Sequence, residues 1–266
     1  MGIVVVQTGM FFIDMKFRWM LLLICAGLMA GCATQPSSPV RADALHLPSP
    51  QAFRTWTPEQ QLTWLAVPFP GKNPTQYQLA KRQGREGIQA DAHSAVSMLR
   101  QSVHVPADQL GALKFSWFVP ELIAGADMGV READDSPVRL VLAFEGDRSK
   151  FSARNAMLNE LVRTLTHEEM PYATLMYVWC NQRPVESVIV NPRTDRIQKI
   201  VVESGPHQLQ RWRNYERDIR TDFEKAFGEA PGPLVAIGLM TDSDNTRTHT
   251  RAWYGNVQLL QSVTKP

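Results

Sequence analysis

The sequence predicts a mainly β domain, a sandwich or barrel with two helices inserted between its strands. Three observations predict it. Short runs alternate apolar with polar residues, Pro, Gly, Asn and Asp break those runs, and only two stretches in the second half carry a helical period. Leu113, Phe115, Trp117 and Val119 alternate with Lys114, Ser116 and Phe118. Val138, Leu140, Leu142 and Phe144 share one strand face, and Arg139, Val141 and Ala143 share the other.

In chain order, the leader comes first. The longest apolar stretch, Trp19 to Ala30, is shorter than the roughly 20 residues of a bilayer span. It fits a secretory signal core of about 7–15 residues, with Lys16 and Arg18 supplying the positive flank. Asp14 stands where positive charge belongs, whereas a start at Met15 runs directly into Met-Lys-Phe-Arg. Residues 1–14 are therefore expected to be a mis-called extension and 15–31 the signal peptide. Leu28-Met29-Ala30-Gly31-Cys32 resembles the lipobox of bacterial lipoproteins, with Met29 where that pattern prefers leucine. The resemblance implies cleavage before Cys32 and lipid on its thiol. Ala33, in place of a retaining aspartate, implies sorting to the outer membrane, with the domain in the periplasm. Residues 32–51, rich in Pro, Ser and Ala, read as the lipidated cysteine and an extended tether.

One domain is expected over 52–262. Thr57-Pro58-Glu59-Gln60 has capping-box spacing with Pro at the first helical position, and Trp64 to Phe69 reads equally well as helix or strand. Ser152 caps a helix over Ala153 to Glu169, with Met157, Leu158, Leu161, Val162 and Leu165 on one face. Ala173 to Cys180, Val185 to Val190 and Lys199 to Val202 are further strands. A second helix covers Ile219 to Phe227 and stops at Gly228. Leu234 to Met240 is apolar on both faces, and Trp253, Val257 and Leu259 line a last strand.

Charge and cysteines narrow the function classes. Twenty-eight basic residues nearly balance 26 acidic ones, with no basic stripe for nucleic acid. Of three cysteines, Cys25 leaves with the signal, Cys32 carries lipid, and Cys180 stands alone as a core residue, so no internal disulfide is expected. No G-x-S-x-G surrounds a serine, and His167-Glu168-Glu169 lacks the second histidine of a zinc-protease helix.

Three constellations carry chemistry. Asp242 and Asp244, with Asn245 beside them, offer alternating oxygen ligands for Ca2+, though Arg247 stands where an EF-hand needs glycine. Self-bonded Asp/Asn turns are the competing reading. Arg139, mid-strand among apolar residues, requires a buried partner from Asp134, Asp135 or Asp242. Those acidic segments are expected to meet at one end of the sandwich. Trp117, Tyr177, Trp179, Trp212, Trp253 and Tyr254 can stack on sugars or fill the core; Trp212 alone lies in a polar stretch. Asn181, beside Trp179, joins the candidate ligand-binding residues.

Several segments together resemble the bacterial family known as domain of unknown function 3047. They are Asp134-Asp135-Ser136-Pro137-Val138-Arg139-Leu140, Tyr177-Val178-Trp179-Cys180-Asn181, Val201-Val202-Glu203-Ser204-Gly205 and Phe223-Glu224-Lys225-Ala226-Phe227-Gly228. Met240-Thr241-Asp242-Ser243-Asp244-Asn245-Thr246 and Ala252-Trp253-Tyr254-Gly255-Asn256 complete the set. The resemblance implies a jelly-roll-like sandwich similar to galactose-binding-type modules. The leading functional expectation is a non-catalytic, envelope-anchored domain binding a glycan or cell-wall component. A glycosidase needs only two carboxylates placed in space, which leaves a polysaccharide hydrolase as an alternative. A structural lipoprotein binding other envelope proteins is the third.

Overall fold

The computed structural model describes residues 52–262; the expected signal peptide, Cys32 and the expected tether lie outside the described residues. Strand β1 (Ala52–Trp56) leads through a 3-10 turn at Pro58–Thr63 to β2 (Leu65–Pro68). The turn forms one arm of the expected box: Gln60 Oε1 accepts the Thr57 backbone N–H at 3.0 Å, while the Gln60 N–H donates to the Thr57 backbone carbonyl. Next come β3 (Gln76–Arg82), β4 (Arg85–His93), β5 (Val96–Val105) and β6 (Leu110–Phe118). β7 (Ser136–Phe144), α1 (Ala153–Thr166), β8 (Ala173–Cys180) and β9 (Val188–Asn191) follow. The chain ends through β10 (Thr194–Ser204), β11 (Trp212–Asp218), α2 (Ile219–Phe227), β12 (Leu234–Asp242) and β13 (His249–Gln261).

The strands form two sheets. One is ordered β11-β6-β13-β4-β3, with β1 also on β13; the other is β2-β5-β12-β7-β8-β10-β9. Pairing is antiparallel except between β8 and β10. The fold is the expected mainly β, jelly-roll-type sandwich with two helices inserted. Its core lies between the sheets, where Leu113, Phe115 and Trp117 of β6 meet Leu140, Leu142, Leu175 and Tyr177 of the facing sheet. Phe115 stacks between Tyr177 and Tyr215, ring centroids 5.5 and 5.2 Å away. The Tyr254 hydroxyl reaches from β13 across the sandwich. It accepts the Arg139 backbone N–H at 3.2 Å and donates to the Met240 carbonyl at 2.6 Å.

Both helices begin where expected. Ser152 Oγ accepts the Asn155 N–H at 3.3 Å, and Asp218 Oδ1 accepts the Thr221 N–H at 2.7 Å. α2 buries Ile219 and Phe223 and stops at Gly228, in the left-handed region at φ 70°. α1 departs from expectation in length, ending at Thr166 with His167 at φ 59°. Its apolar stripe is not buried: Met157 is 68% and Leu165 59% exposed. Polar contacts moor it instead. Asn155 Nδ2 donates to Asp195 Oδ1 at 2.6 Å, and Asn155 Oδ1 accepts from Thr194 Oγ1 at 2.7 Å.

Candidate functional site

The acidic segments do meet. β7 and β12 are antiparallel neighbours with Asp242 opposite Ser136, so Asp242 arrives beside the start of β7. Arg139 points to the outer face of its sheet and is almost fully buried there. Its Nε donates to Asp242 Oδ1 at 2.9 Å and its Nη2 to Oδ2 at 2.8 Å. Nη2 also reaches the Asp134 carbonyl at 2.8 Å and Oδ1 at 3.1 Å. Lys199 of β10 completes the cluster, donating to both Asp134 oxygens at 2.8 and 2.9 Å and to the Met128 carbonyl at 3.0 Å.

Burial sets the electrostatics. It pushes the Asp242 carboxyl up, to about 7, while Arg139 pulls it down. The three hydrogen bonds it accepts, two from Arg139 and one from Ser136 N–H at 3.0 Å, favour the ionised form. Burial also lowers Lys199, to about 8, with Arg139 adding to the shift and Asp134 opposing it. For Arg139 burial acts downward, but Asp242 and Asp134 outweigh it and raise the guanidinium. For Asp134 burial acts upward, and Arg139 and Lys199 prevail to lower it. Two cations thus face Asp134 and Asp242, while the buried Asp135 beside them adds like-charge repulsion at Asp242.

The calcium geometry is present, but its donors are engaged. Asp135, Asp242 and Asp244 place carboxylate oxygens within 4.8 Å of one another. Asp242 holds Arg139, and Asp244 pairs with Lys72. Asp135 Oδ1 accepts from Asn245 N and Nδ2 at 3.2 and 3.0 Å, and its Oδ2 accepts from Thr246 N and Oγ1. Any cation would displace these donors. The loop is held from outside rather than by its own Asp and Asn side chains, with Asp135 of the segment before β7 as its acceptor.

The remaining predicted residues part company. Trp179 is a correction: it sits in the core, 1% exposed, donating its indole N–H to the Gly205 carbonyl at 3.0 Å, and offers nothing to a ligand. Trp117, Tyr177 and Tyr254 are buried too, because each occupies an inward position of its strand. Asn181 Nδ2 donates to the Ile123 carbonyl at 2.7 Å and braces the loop before β7. Trp212 lies half-buried on the outer face of the six-stranded sheet, its Nε1 donating to the Arg82 carbonyl at 3.0 Å.

Next to Trp212, on the far side of Arg85, lies a groove that the sequence did not disclose. It has a volume of about 380 Å³ and runs across β11, β6 and β13, lined by Arg85, Ser116, Asn214, Asn256, Gln258 and the Lys114–Glu216 pair. The Arg85 guanidinium lies 4.4 Å over the Trp212 ring. Its Nη2 donates to Ser116 Oγ at 2.6 Å and its Nη1 to Asn214 Oδ1 at 3.3 Å. Gly255 permits that approach, since a Cβ there would lie 2.3 Å from Ser116 Oγ and 2.8 Å from Arg85 Nη2. The register of β13 against β6 shifts between Tyr254 and Val257, a bulge that includes Asn256, which lines the groove.

A family model matches residues 62–258, spanning both sheets, the cluster and the groove. The chain belongs to that family, described as "Protein of unknown function (DUF3047)". The Asp134–Leu140 and Met240–Thr246 segments that carry the DUF3047 likeness are those joined through Arg139, Asp135 and Tyr254. No curated protein matches by sequence. Among solved structures the chain is similar to the Spr0440 glycoside hydrolase domain, Endo-D, from Streptococcus pneumoniae R6. Identity is 11% and the TM-score 0.33, with 76% of this chain and 22% of that one covered. The chain therefore spans under a quarter of that protein. It is also similar to TmCBM27, a carbohydrate-binding module of specific mannan recognition, at 12% identity and a TM-score of 0.33, covering 81% and 99%. TmCBM61 in complex with beta-1,4-galactotriose aligns at 12% identity and a TM-score of 0.29, covering 79% and 88%.

Proposed function

We propose that this is a non-catalytic glycan-binding domain, held at the bacterial outer membrane by lipid on Cys32, with the sugar bound in the groove of the six-stranded sheet. The observation that carries the reading is the chemistry of that groove. Asn214, Asn256 and Gln258 are amides with both donors and acceptors, the pairing that sugar hydroxyls need. Arg85, fixed by Ser116 and Asn214 and laid on Trp212, supplies a flat surface and further donors without reordering on binding. Two-carboxylate hydrolysis needs a second acid about 5–10 Å from the first. Among the residues lining the groove, Glu216 alone carries a carboxylate.

Isothermal titration of the full chain against a panel of envelope polysaccharides and peptidoglycan fragments tests the reading. At least one should bind, and Arg85→Ala and Asn256→Ala should each weaken it about tenfold, the equivalent of one lost hydrogen bond of about 1–1.5 kcal/mol. A panel without binding, or affinity untouched by both variants, removes the proposal.

A further inference from the structure

The seven-stranded sheet carries a different concavity on its outer face. Its floor is Met98, Met240, Val141, Met176 and Ile197, on the adjacent strands β5, β12, β7, β8 and β10. At about 4.8 Å between strands this floor is on the order of 19 Å across. Gly238 leaves room for Met98 to lie across the middle of the floor, since a Cβ there would lie 2.5 Å from Met98 Sδ. Leu158, Val162 and Leu165 of α1 stand opposite. The space divides into three bays of about 400, 490 and 500 Å³, all bordered by Phe69. Each is the size of a small-molecule site. The helix does not close on the floor, because its moorings are polar and its apolar side chains stay outside the core.

The walls define the occupant. Methionine floors adapt to chains of varied shape, and the charged groups at the other end of the trough are already engaged, Arg100 with Glu168 and Glu145 with Arg148. The charges at one mouth are asymmetric. Asp134 and Asp242 are buried and held by Arg139 and Lys199, and Asp244 is held by Lys72. The exposed groups there are Lys72 and Arg193, and Arg193 has no ion pair among the described residues. We propose that this cleft binds an anionic amphiphile, its acyl chain lying on the methionine floor beneath α1 and its head group at Arg193.

The test is titration of the full chain with 11-(dansylamino)undecanoate, read by fluorescence. Competition by oleate and by lysophosphatidylglycerol, in separate arms, distinguishes a free fatty acid from a lipid head group as the natural source. Saturable binding is expected. Val162→Asp on α1 should weaken it at least tenfold with an unchanged circular dichroism spectrum, and Arg193→Glu should weaken dodecanoate but not dodecanol. Arg85→Ala should leave probe binding intact, which separates this site from the glycan groove. Absence of saturable binding, or binding indifferent to Val162→Asp in the folded variant, overturns the proposal. Self-association abolished by Val162→Asp, without probe binding, would make the face an interface between copies and overturn it equally.

Discussion

Asp242→Asn tests whether the carboxylates around Arg139 serve an arginine or a cation. Asparagine keeps the shape and one oxygen for the Ser136 N–H, but its amide nitrogen would face an Arg139 nitrogen, donor against donor. The variant takes from Arg139 its two-point carboxylate partner and leaves it only Asp134, which it shares with Lys199. Removing one partner of a buried ion pair costs about 3–5 kcal/mol, against a typical domain stability of about 5–15 kcal/mol. At roughly 2–4 °C per kcal/mol for a domain of this size, the Tm should fall by about 6–20 °C. Urea and thermal unfolding, followed by tryptophan fluorescence with EDTA and again with millimolar calcium, should show the same loss in both. Arg139→Met with Asp242→Leu should recover most of it, since an apolar pair of similar volume replaces a buried ion pair at little cost. A single-variant loss below about 1 kcal/mol would refute the ion-pair reasoning. So would a wild-type protein that loses comparable stability when calcium is chelated.

Two further predictions concern other parts of the chain. The Arg217 hydrogen bonds, aided by Lys225, hold Glu186 at about 2, below its ordinary 4.5, so its contribution is present above pH 4.5 and lost as pH falls toward 2. Because Glu186 is half exposed the effect should stay below about 1 kcal/mol, and Glu186→Gln should flatten the acid limb of the urea midpoint; an unaltered limb counts against it. Cys32→Ser should abolish labelling by radioactive palmitate and release the chain from the membrane fraction, and a variant that survives high-salt washing in the membrane would sink the lipid anchor.

Strands were legible where one face is apolar and the other polar. β6 shows this plainly, with Leu113, Phe115 and Trp117 in the core. β11 was hidden because its inward positions include arginines: Arg213 meets Glu203, and Arg217 meets Asp222. Only Tyr215 marks the face that packs against Phe115. In β12 the strict alternation that places Ile237 and Leu239 inward would place Val235 there as well. A register shift between Leu234 and Ala236 gives the core position to Leu234 and leaves Val235 half-buried. The sequence places the α1 apolar residues on one face, and the structure leaves Met157, Leu161 and Leu165 of that face exposed. Periodicity reports that a helix has an apolar face; it does not report what covers that face.

The charged cluster was half legible for a related reason. An arginine in an apolar strand demands a partner, and of the three candidate acids Asp134 and Asp242 take it while Asp135 binds Asn245 and Thr246 instead. Lys199 carried the same signal, a lone cation opening the apolar run of β10, and β10 lies two strands from β7 across β8. Such a lysine at 0% exposure stays charged only beside a carboxylate, so its place at Asp134 follows once the strand order is known. The groove had no such signal. Arg85, Ser116, Asn214 and Asn256 are ordinary polar residues on four strands, far apart in sequence, and each is unremarkable alone. Sheet pairing and the bulge after Tyr254 gather them, and a bulge sets which side chain faces out without leaving an apolar pattern to read. The cluster therefore reads as the joint that fixes β7 to β12, because every carboxylate in it already has its donors. The groove reads as the place for a ligand, because its outward amides Asn256 and Gln258 have no side-chain partner among the described residues and stand open to solvent beside a guanidinium already held in place.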